Sequence, residues 1–269
     1  MFVKHQGEGG EPTVLVHGIG SSHGIWGDML GELGRGRDLL AVDLPGFGDS
    51  PSLPEGQRTL AGLADAIEAE MDREGWKQAN LTGHSMGGWL VLELASRGRA
   101  LRTVAISPVG GAVPEEAQRS RRALGMDRRG AMFAKRLPDA VLRGLFGTGL
   151  SRRLLLRNQM TRAQDVSPER LVYATRTMGK ATSFDELHEE IAGSHDLIEE
   201  NRERFGRIAS PVLVVWGADD KILPATGGPR ITEAIPGAEL HLMPGVGHAL
   251  LLDHPEQLAR AVAGFLDAG

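Results

Sequence analysis

Asn80-Leu81-Thr82-Gly83-His84-Ser85-Met86-Gly87-Gly88-Trp89-Leu90-Val91-Leu92 joins a strand-like run to a helix-like run through a tight, glycine-flanked turn. A strand that runs straight into a serine, with a helix leaving straight after it, lifts the hydroxyl clear of the backbone and sets it at a helix N-terminus, where negative charge is favoured. The flanking glycines remove side chains that would collide in so strained a turn. The same G-x-S-x-G spacing recurs from Gly20 to Gly24 around Ser22. In a chain this rich in glycine the pattern arises by chance roughly a quarter of a time, so context must separate the two. Ser22 lies well past the end of its strand with no helix directly after it, and reads as a loop hydroxyl.

Outward from Ser85, short apolar runs alternate with amphipathic stretches. Val14-Leu15-Val16, Leu39 to Val42, Ala79 to Thr82 and Thr103 to Ile106 read as strands; Trp26 to Leu33, Thr59 to Glu74 and Trp89 to Ser96 read as helices. In the second of these helices, Leu60, Leu63, Ala64, Ile67 and Met71 form one apolar stripe. The rhythm resumes with strand Val212 to Trp216, helix Thr226 to Ala234, strand Glu239 to Met243 and helix Glu256 to Leu266. Strands alternating with helices imply βαβ units and a mostly parallel sheet. The expected fold class is α/β, with residues 1–109 and 206–269 forming one core domain.

Residues 110–205 break the rhythm and read as several helices. Residues 110–162 hold 12 Lys/Arg and 4 Asp/Glu, and 163–205 hold 5 and 10. The plain reading is two solvated helical faces that pair with each other. A helical insertion between two strands would also sit over the strand ends where ligands bind, making it a lid.

Composition narrows the chemistry further. The 269 residues, 41% hydrophobic and 24% charged, are those of a globular protein, and the absence of cysteine removes disulfides, thiolate metal sites and a Cys nucleophile. A net charge of −5 gives no basic surplus for a phosphate backbone, so no nucleic-acid partner is expected. The N-terminal residues lack a signal-peptide order, and no apolar run approaches the ~18 residues of a membrane span. A cytoplasmic enzyme with a small-molecule substrate and no membrane partner is expected, with a homodimer left open.

A serine hydroxyl is a weak nucleophile unless a base takes its proton. His248, in Pro244-Gly245-Val246-Gly247-His248, stands on a glycine-rich loop between the last strand and the last helix, a poor place for core filler. His17, His84 and His241 lie on or beside strands, and His5, His23 and His254 in loops. His188 and His195 belong to the insert and are candidates to touch substrate. Asp219-Asp220 follows the strand ending at Trp216, at the carboxyl end where sites are built, and offers the acid that orients such a histidine. The order Ser, Asp, His results.

With these residues in hand, the chain resembles the α/β-hydrolases over nearly its whole length. The matching motifs are His17-Gly18-Ile19-Gly20, Asp43-Leu44-Pro45-Gly46-Phe47-Gly48-Asp49-Ser50, Gly83-His84-Ser85-Met86-Gly87-Gly88, Trp216-Gly217-Ala218-Asp219-Asp220 and Gly245-Val246-Gly247-His248. The resemblance implies that residues 110–205 form a helical cap and that the backbone N–H groups of Ile19 and Met86 make the oxyanion hole. It also selects Asp220, three residues after Gly217, over Asp219. Only Phe2 to His5 precedes the His-Gly strand, so the family's first hairpin is expected to be reduced.

The resemblance implies a serine hydrolase cleaving a carboxylic ester or lactone, without metal or organic cofactor. Ser85 in place of Asp disfavours dehalogenase and epoxide hydrolase chemistry. The loop His17 to Ser22 resembles that of enol-lactonases. Meta-cleavage C–C hydrolases resemble the chain in length and cap, but carry Asn and Trp where His84 and Ala249 stand; they form the alternative, beside a lyase, cyclase or binding module. Candidate substrate contacts are His23, His84, Met132, Phe133, Phe146 and Met160, with Met126 and Met178 as further apolar lining.

Overall fold

The computed structural model describes residues 1–7, 9–193 and 196–268, with the side chain of Pro114 outside the description. Among them, seven strands form one sheet: β1 (Phe2–Gln6), β2 (Glu11–Val16), β3 (Arg37–Asp43), β4 (Ala79–His84), β5 (Ala100–Ile106), β6 (Val212–Gly217) and β7 (Glu239–Met243), in the order β1-β3-β2-β4-β5-β6-β7. All neighbours run parallel except β1, which pairs antiparallel with β3. The short first strand therefore closes one edge instead of forming a hairpin with β2.

Strand alternation divides the core between two faces. Val14, Leu40, Val42, Val212, Val214 and Trp216 point to one face, and Leu15, Leu39, Ala41, Leu213 and Val215 to the other. Burial on both faces is why these strands read as unbroken apolar runs. The first face is covered by α2 (Leu60–Arg73) and α3 (Met86–Ser96), which contribute Leu63, Ile67, Leu90 and Leu94. The second is covered by α1 (Leu30–Leu33) and, at the other end of the chain, by helices reaching Leu266. The helix expected from Trp26 to Leu33 is instead a 3₁₀ turn at His23–Trp26 followed by one turn of α1. Gly24, Gly27, Gly31 and Gly34 spread through this stretch, and each weakens a continuous helix.

Between β5 and β6 lie α4 (Pro114–Ala134), α5 (Asp139–Leu145), α6 (Gly149–Leu156), α7 (Pro168–Lys180), α8 (Phe184–Gly193) and α9 (Leu197–Phe205). Leu142, Phe146, Met160, Ala163, Leu171 and Val172 give this insert a small core of its own. Its basic and acidic halves meet, with Arg121 on Glu189 at 2.6 Å and Arg128 near Asp185 at 3.8 Å. The last helix stands apart. Phe205 packs edge-on against Trp89 of α3 at 5.0 Å between ring centroids, and Arg204 pairs with Glu93 at 2.6 Å, so α9 joins the outer layer of the sheet. The chain then completes the layers with α10 (Gly227–Ala234), α11 (Leu250–Asp253) and α12 (Pro255–Leu266). No described helix is long and apolar enough to cross a membrane.

From β2 the chain moves to β3 on one side, then crosses to β4 on the other. That reversal opens a crevice at the carboxyl ends of β2 and β4, where ligands of such sheets bind.

Candidate active site

β4 ends at His84, and Ser85 turns the chain into α3 with φ 56° and ψ −117°, a left-handed conformation that a side chain rarely adopts. The surroundings hold it there. Its N–H donates to the Ile106 carbonyl at 2.8 Å, and its own carbonyl accepts from Trp89 N–H and Val109 N–H, each at 3.2 Å. Glycine is required on both sides: a Cβ on Gly83 would lie 2.1 Å from the Gly87 carbonyl oxygen, and one on Gly87 would lie 2.3 Å from that of Val16.

The loop after β7 brings His248 to the same crevice, where its Nδ1 donates to Asp220 Oδ2 at 2.7 Å. Asp220 is held in turn. Its Oδ1 accepts the N–H groups of Ile222 and Leu223, both at 2.8 Å, and its side chain is fully buried. Asp219 faces solvent, and its backbone N–H donates to the Val246 carbonyl at 2.9 Å. Ser85 and His248 line one cavity of about 400 Å³. With Nδ1 committed to Asp220, the other imidazole nitrogen is the one able to exchange a proton with a hydroxyl there. Beside Ser85, the N–H groups of Ile19 and Met86 have no hydrogen-bond partner among the described residues. Two such N–H groups, that of Met86 at the start of α3 and that of Ile19 in the loop after β2, are donors suited to an oxyanion.

His84 lines the cavity, but its role there is in holding the backbone. Its Nε2 donates to the His248 carbonyl at 2.9 Å, with ring centroids 4.9 Å apart. Burial, reinforced by the neighbouring His248, pushes its pKa down to about 3, so it is neutral. His17 is neutral for the same reason: burial lowers it to about 4, while its Nδ1 donates to the Gly18 carbonyl at 2.8 Å and its Nε2 accepts from Leu44 N–H at 3.0 Å.

The expected substrate contacts divide. Phe146 and Met160 line the cavity, with Met126 and Met178. His23, Met132 and Phe133 do not. His23 is drawn to the buried carboxylate of Asp43, whose Oδ1 accepts from its N–H at 2.6 Å and its Nδ1 at 2.9 Å, bracing the Asp43 to Ser50 loop. On α4 the face toward the cavity carries Leu124, Asp127, Ala131 and Ala134, spaced by three and four, which leaves Met132 and Phe133 on other faces, Phe133 being 64% exposed. His188 sits over Phe184 with its Nε2 at 3.2 Å from the Arg121 carbonyl, away from the cavity, and His195 lies outside the described residues. Ser22 is buried, its hydroxyl 2.8 Å from that of Tyr173 on α7, so the second G-x-S-x-G segment docks the insert.

Asp127 and Gln159 also line the cavity, and sequence reasoning missed both. The signal was available for Asp127 alone, as the polar member of the 124, 127, 131 and 134 spacing. Burial pushes its carboxyl above the ordinary range, opposed by a hydrogen bond from Gln159 and by the nearby His248. Among the described residues no group of three or more His, Asp or Glu is placed to hold a metal ion.

A profile described as "Alpha/beta hydrolase family" matches residues 13–261. The chain is 29% identical over 267 residues to 2-hydroxymuconate semialdehyde hydrolase of Pseudomonas putida, covering 97% of this chain and 88% of that protein. It is also 29% identical over 245 residues, 90% of its length, to the dihydrolipoyllysine-residue acetyltransferase component of an acetoin cleaving system from Cupriavidus necator, of which it spans only 60%. Among solved structures, the meta-cleavage product hydrolase of Pseudomonas fluorescens IP01 superposes with a TM-score of 0.74 at 23% identity, over 98% of this chain and 93% of that one.

Proposed function

The chain belongs to the alpha/beta hydrolase family, and from that premise we propose that it is a serine hydrolase cleaving a carboxylic ester or lactone through an acyl-enzyme. One observation carries the reading: a strained serine and an Asp220-bound histidine share a cavity whose described lining contains no Lys or Arg.

Ser85 Oγ attacks the carbonyl carbon while His248 takes the hydroxyl proton; Asp220 keeps the imidazole in the tautomer that can accept it and stabilises the imidazolium. The Ile19 and Met86 N–H groups receive the oxyanion, an interaction in which each such donor is typically worth ~3 kcal/mol of barrier. The tetrahedral intermediate collapses, the C–O bond to the alcohol breaks, and His248 returns its proton to the leaving oxygen. Water, deprotonated by the same histidine, then attacks the acyl carbon and frees Ser85. For a lactone the alcohol and acid leave as one molecule.

A C–C bond hydrolase is the second reading, favoured by the similarity to 2-hydroxymuconate semialdehyde hydrolase over 97% of the chain. A semialdehyde of a muconate carries a carboxylate, which a mostly apolar cavity with an aspartate and no Lys or Arg among its described residues opposes. Labelling with a fluorophosphonate, followed by turnover of matched aryl esters, lactones and vinylogous 1,5-diketones, decides between them. Labelling at Ser85 that is lost in Ser85→Ala, with esters or lactones turned over faster than diketones, supports the proposal. Faster diketone cleavage, or labelling that survives Ser85→Ala, refutes it.

A further inference from the structure

The lining of the cavity contains a single Asp or Glu among the described residues, Asp127 of α4, and no Lys or Arg to balance it. Gln159 donates its side-chain amide to Asp127 Oδ2, while Oδ1 has no hydrogen-bond partner among the described residues. The pair is tied to the reacting groups: the Gln159 carbonyl accepts Ala249 N–H at 2.9 Å, directly after His248, and a Cβ on Gly247 would meet that same carbonyl at 2.8 Å. The rest of the wall is mostly apolar, with Leu124, Phe146, Leu156, Met160 and Met178 around it.

A carboxyl group in such surroundings is costly unless it is used, because an amide supplies one hydrogen bond and no countercharge. A purely mechanical latch between α4 and the segment around Gln159 would be served equally by Asn, which accepts the same bond without the charge. Resting on the ester or lactone hydrolase reading, we propose that Asp127 is a specificity determinant of the cavity: it receives an O–H or N–H donor on the part of the substrate that reaches the insert, and excludes substrates with an anion at that position. The preferred substrates are then largely apolar esters or lactones bearing one hydroxyl or amino group remote from the scissile carbonyl.

The test uses p-nitrophenyl esters of equal acyl length ending in methyl, hydroxyl, ammonium or carboxylate, with the intact protein, Asp127→Asn and Asp127→Leu. A hydrogen bond to a charged acceptor is worth about a 10- to 100-fold preference. The hydroxyl-to-methyl and ammonium-to-methyl ratios of kcat/KM should therefore exceed about 10, and carboxylate should be the poorest substrate. Asp127→Leu should bring both donor ratios to near one. Asp127→Asn should abolish the ammonium preference, keep part of the hydroxyl preference, and raise the carboxylate ester relative to methyl. Unchanged ratios in both variants, including a parallel loss on all four esters, would overturn the proposal in favour of a latch. Calorimetric titration with hexylamine, hexanol and hexanoate reads the same preference without catalysis. Amine and alcohol binding about 10-fold tighter than hexanoate supports it even where no ester is turned over and Ser85 resists labelling, outcomes that would refute the hydrolase reading alone. Equal binding of all three overturns it.

Discussion

Asp220→Asn is the sharpest perturbation of the proposed mechanism, because its consequence can be worked out from three hydrogen bonds. In the native structure Asp220 Oδ1 receives two backbone N–H groups at 2.8 Å and Oδ2 receives His248 Nδ1–H at 2.7 Å. The substituted amide has one acceptor oxygen and one donor NH₂, so it must choose which side to face. Turning NH₂ toward Ile222 and Leu223 would set donor against donor and leave two buried N–H groups unpaired, at about 1–3 kcal/mol each. Keeping the oxygen there preserves both bonds and points NH₂ at His248 Nδ1, which then accepts. The proton moves to the other ring nitrogen, and His248 can no longer take one from Ser85. A loss of up to ~10⁴ in kcat follows, equivalent to about 5 kcal/mol of barrier, with little change in Tm because all three contacts survive. Asp219→Asn, at an exposed position, should be nearly silent. Steady-state kinetics on an activated ester, alongside thermal melts, provide the measurement. A loss under tenfold for Asp220→Asn, or a larger loss for Asp219→Asn, refutes the assignment.

Three further outcomes are expected. Gly87→Ala should destabilise by more than about 3 kcal/mol in urea melts, since its Cβ would meet the Val16 and His17 carbonyl oxygens at 2.3 and 2.5 Å, whereas Gly31→Ala, with nothing within 4 Å, should be neutral or slightly stabilising. Phe146→Ala should cost roughly 3 kcal/mol of stability and raise kcat/KM for bulky esters relative to acetates, because Phe146 belongs both to the insert's core and to the cavity wall; an unchanged ratio would make it packing alone. His17 and His84 should make stability depend on pH in the acid range. Their folded pKa values, about 4 and about 3, lie below the unfolded value of 6.5, so the unfolded chain binds more protons below pH 6.5. Stability is therefore full above that pH and falls as the pH drops, by about 1 kcal/mol per unit per histidine. The slope of Tm between pH 6.5 and 4.5 should be shallower in His84→Asn; an equal slope would count against a neutral His84.

Much of the fold could be read from the chain alone, because the governing signals are local. A strand buried on both faces must be apolar at every position, so Val14-Leu15-Val16 and Val212 to Trp216 declare themselves without knowledge of their partners. The turn at Ser85 is equally local: Gly83 and Gly87 leave the room that the backbone needs, and the strand before and helix after complete the pattern. What the sequence could not express is which faces meet. Met132 and Phe133 look like lining until α4 is rotated into place with Asp127, Ala131 and Ala134 inward. His23 looks available until the buried Asp43 is found within 2.9 Å of it. The segment up to residue 205 reads as one insert, yet α9 lies against α3, because Phe205 finds Trp89 far away in sequence. Strand ends and the order of Ser85, Asp220 and His248 follow from short-range chemistry. The shape of the cavity, the placement of Asp127 in its wall and the pairing of Asp127 with Gln159 arise from contacts between distant segments, whose free energy depends on the packed whole and leaves little trace in local spacing.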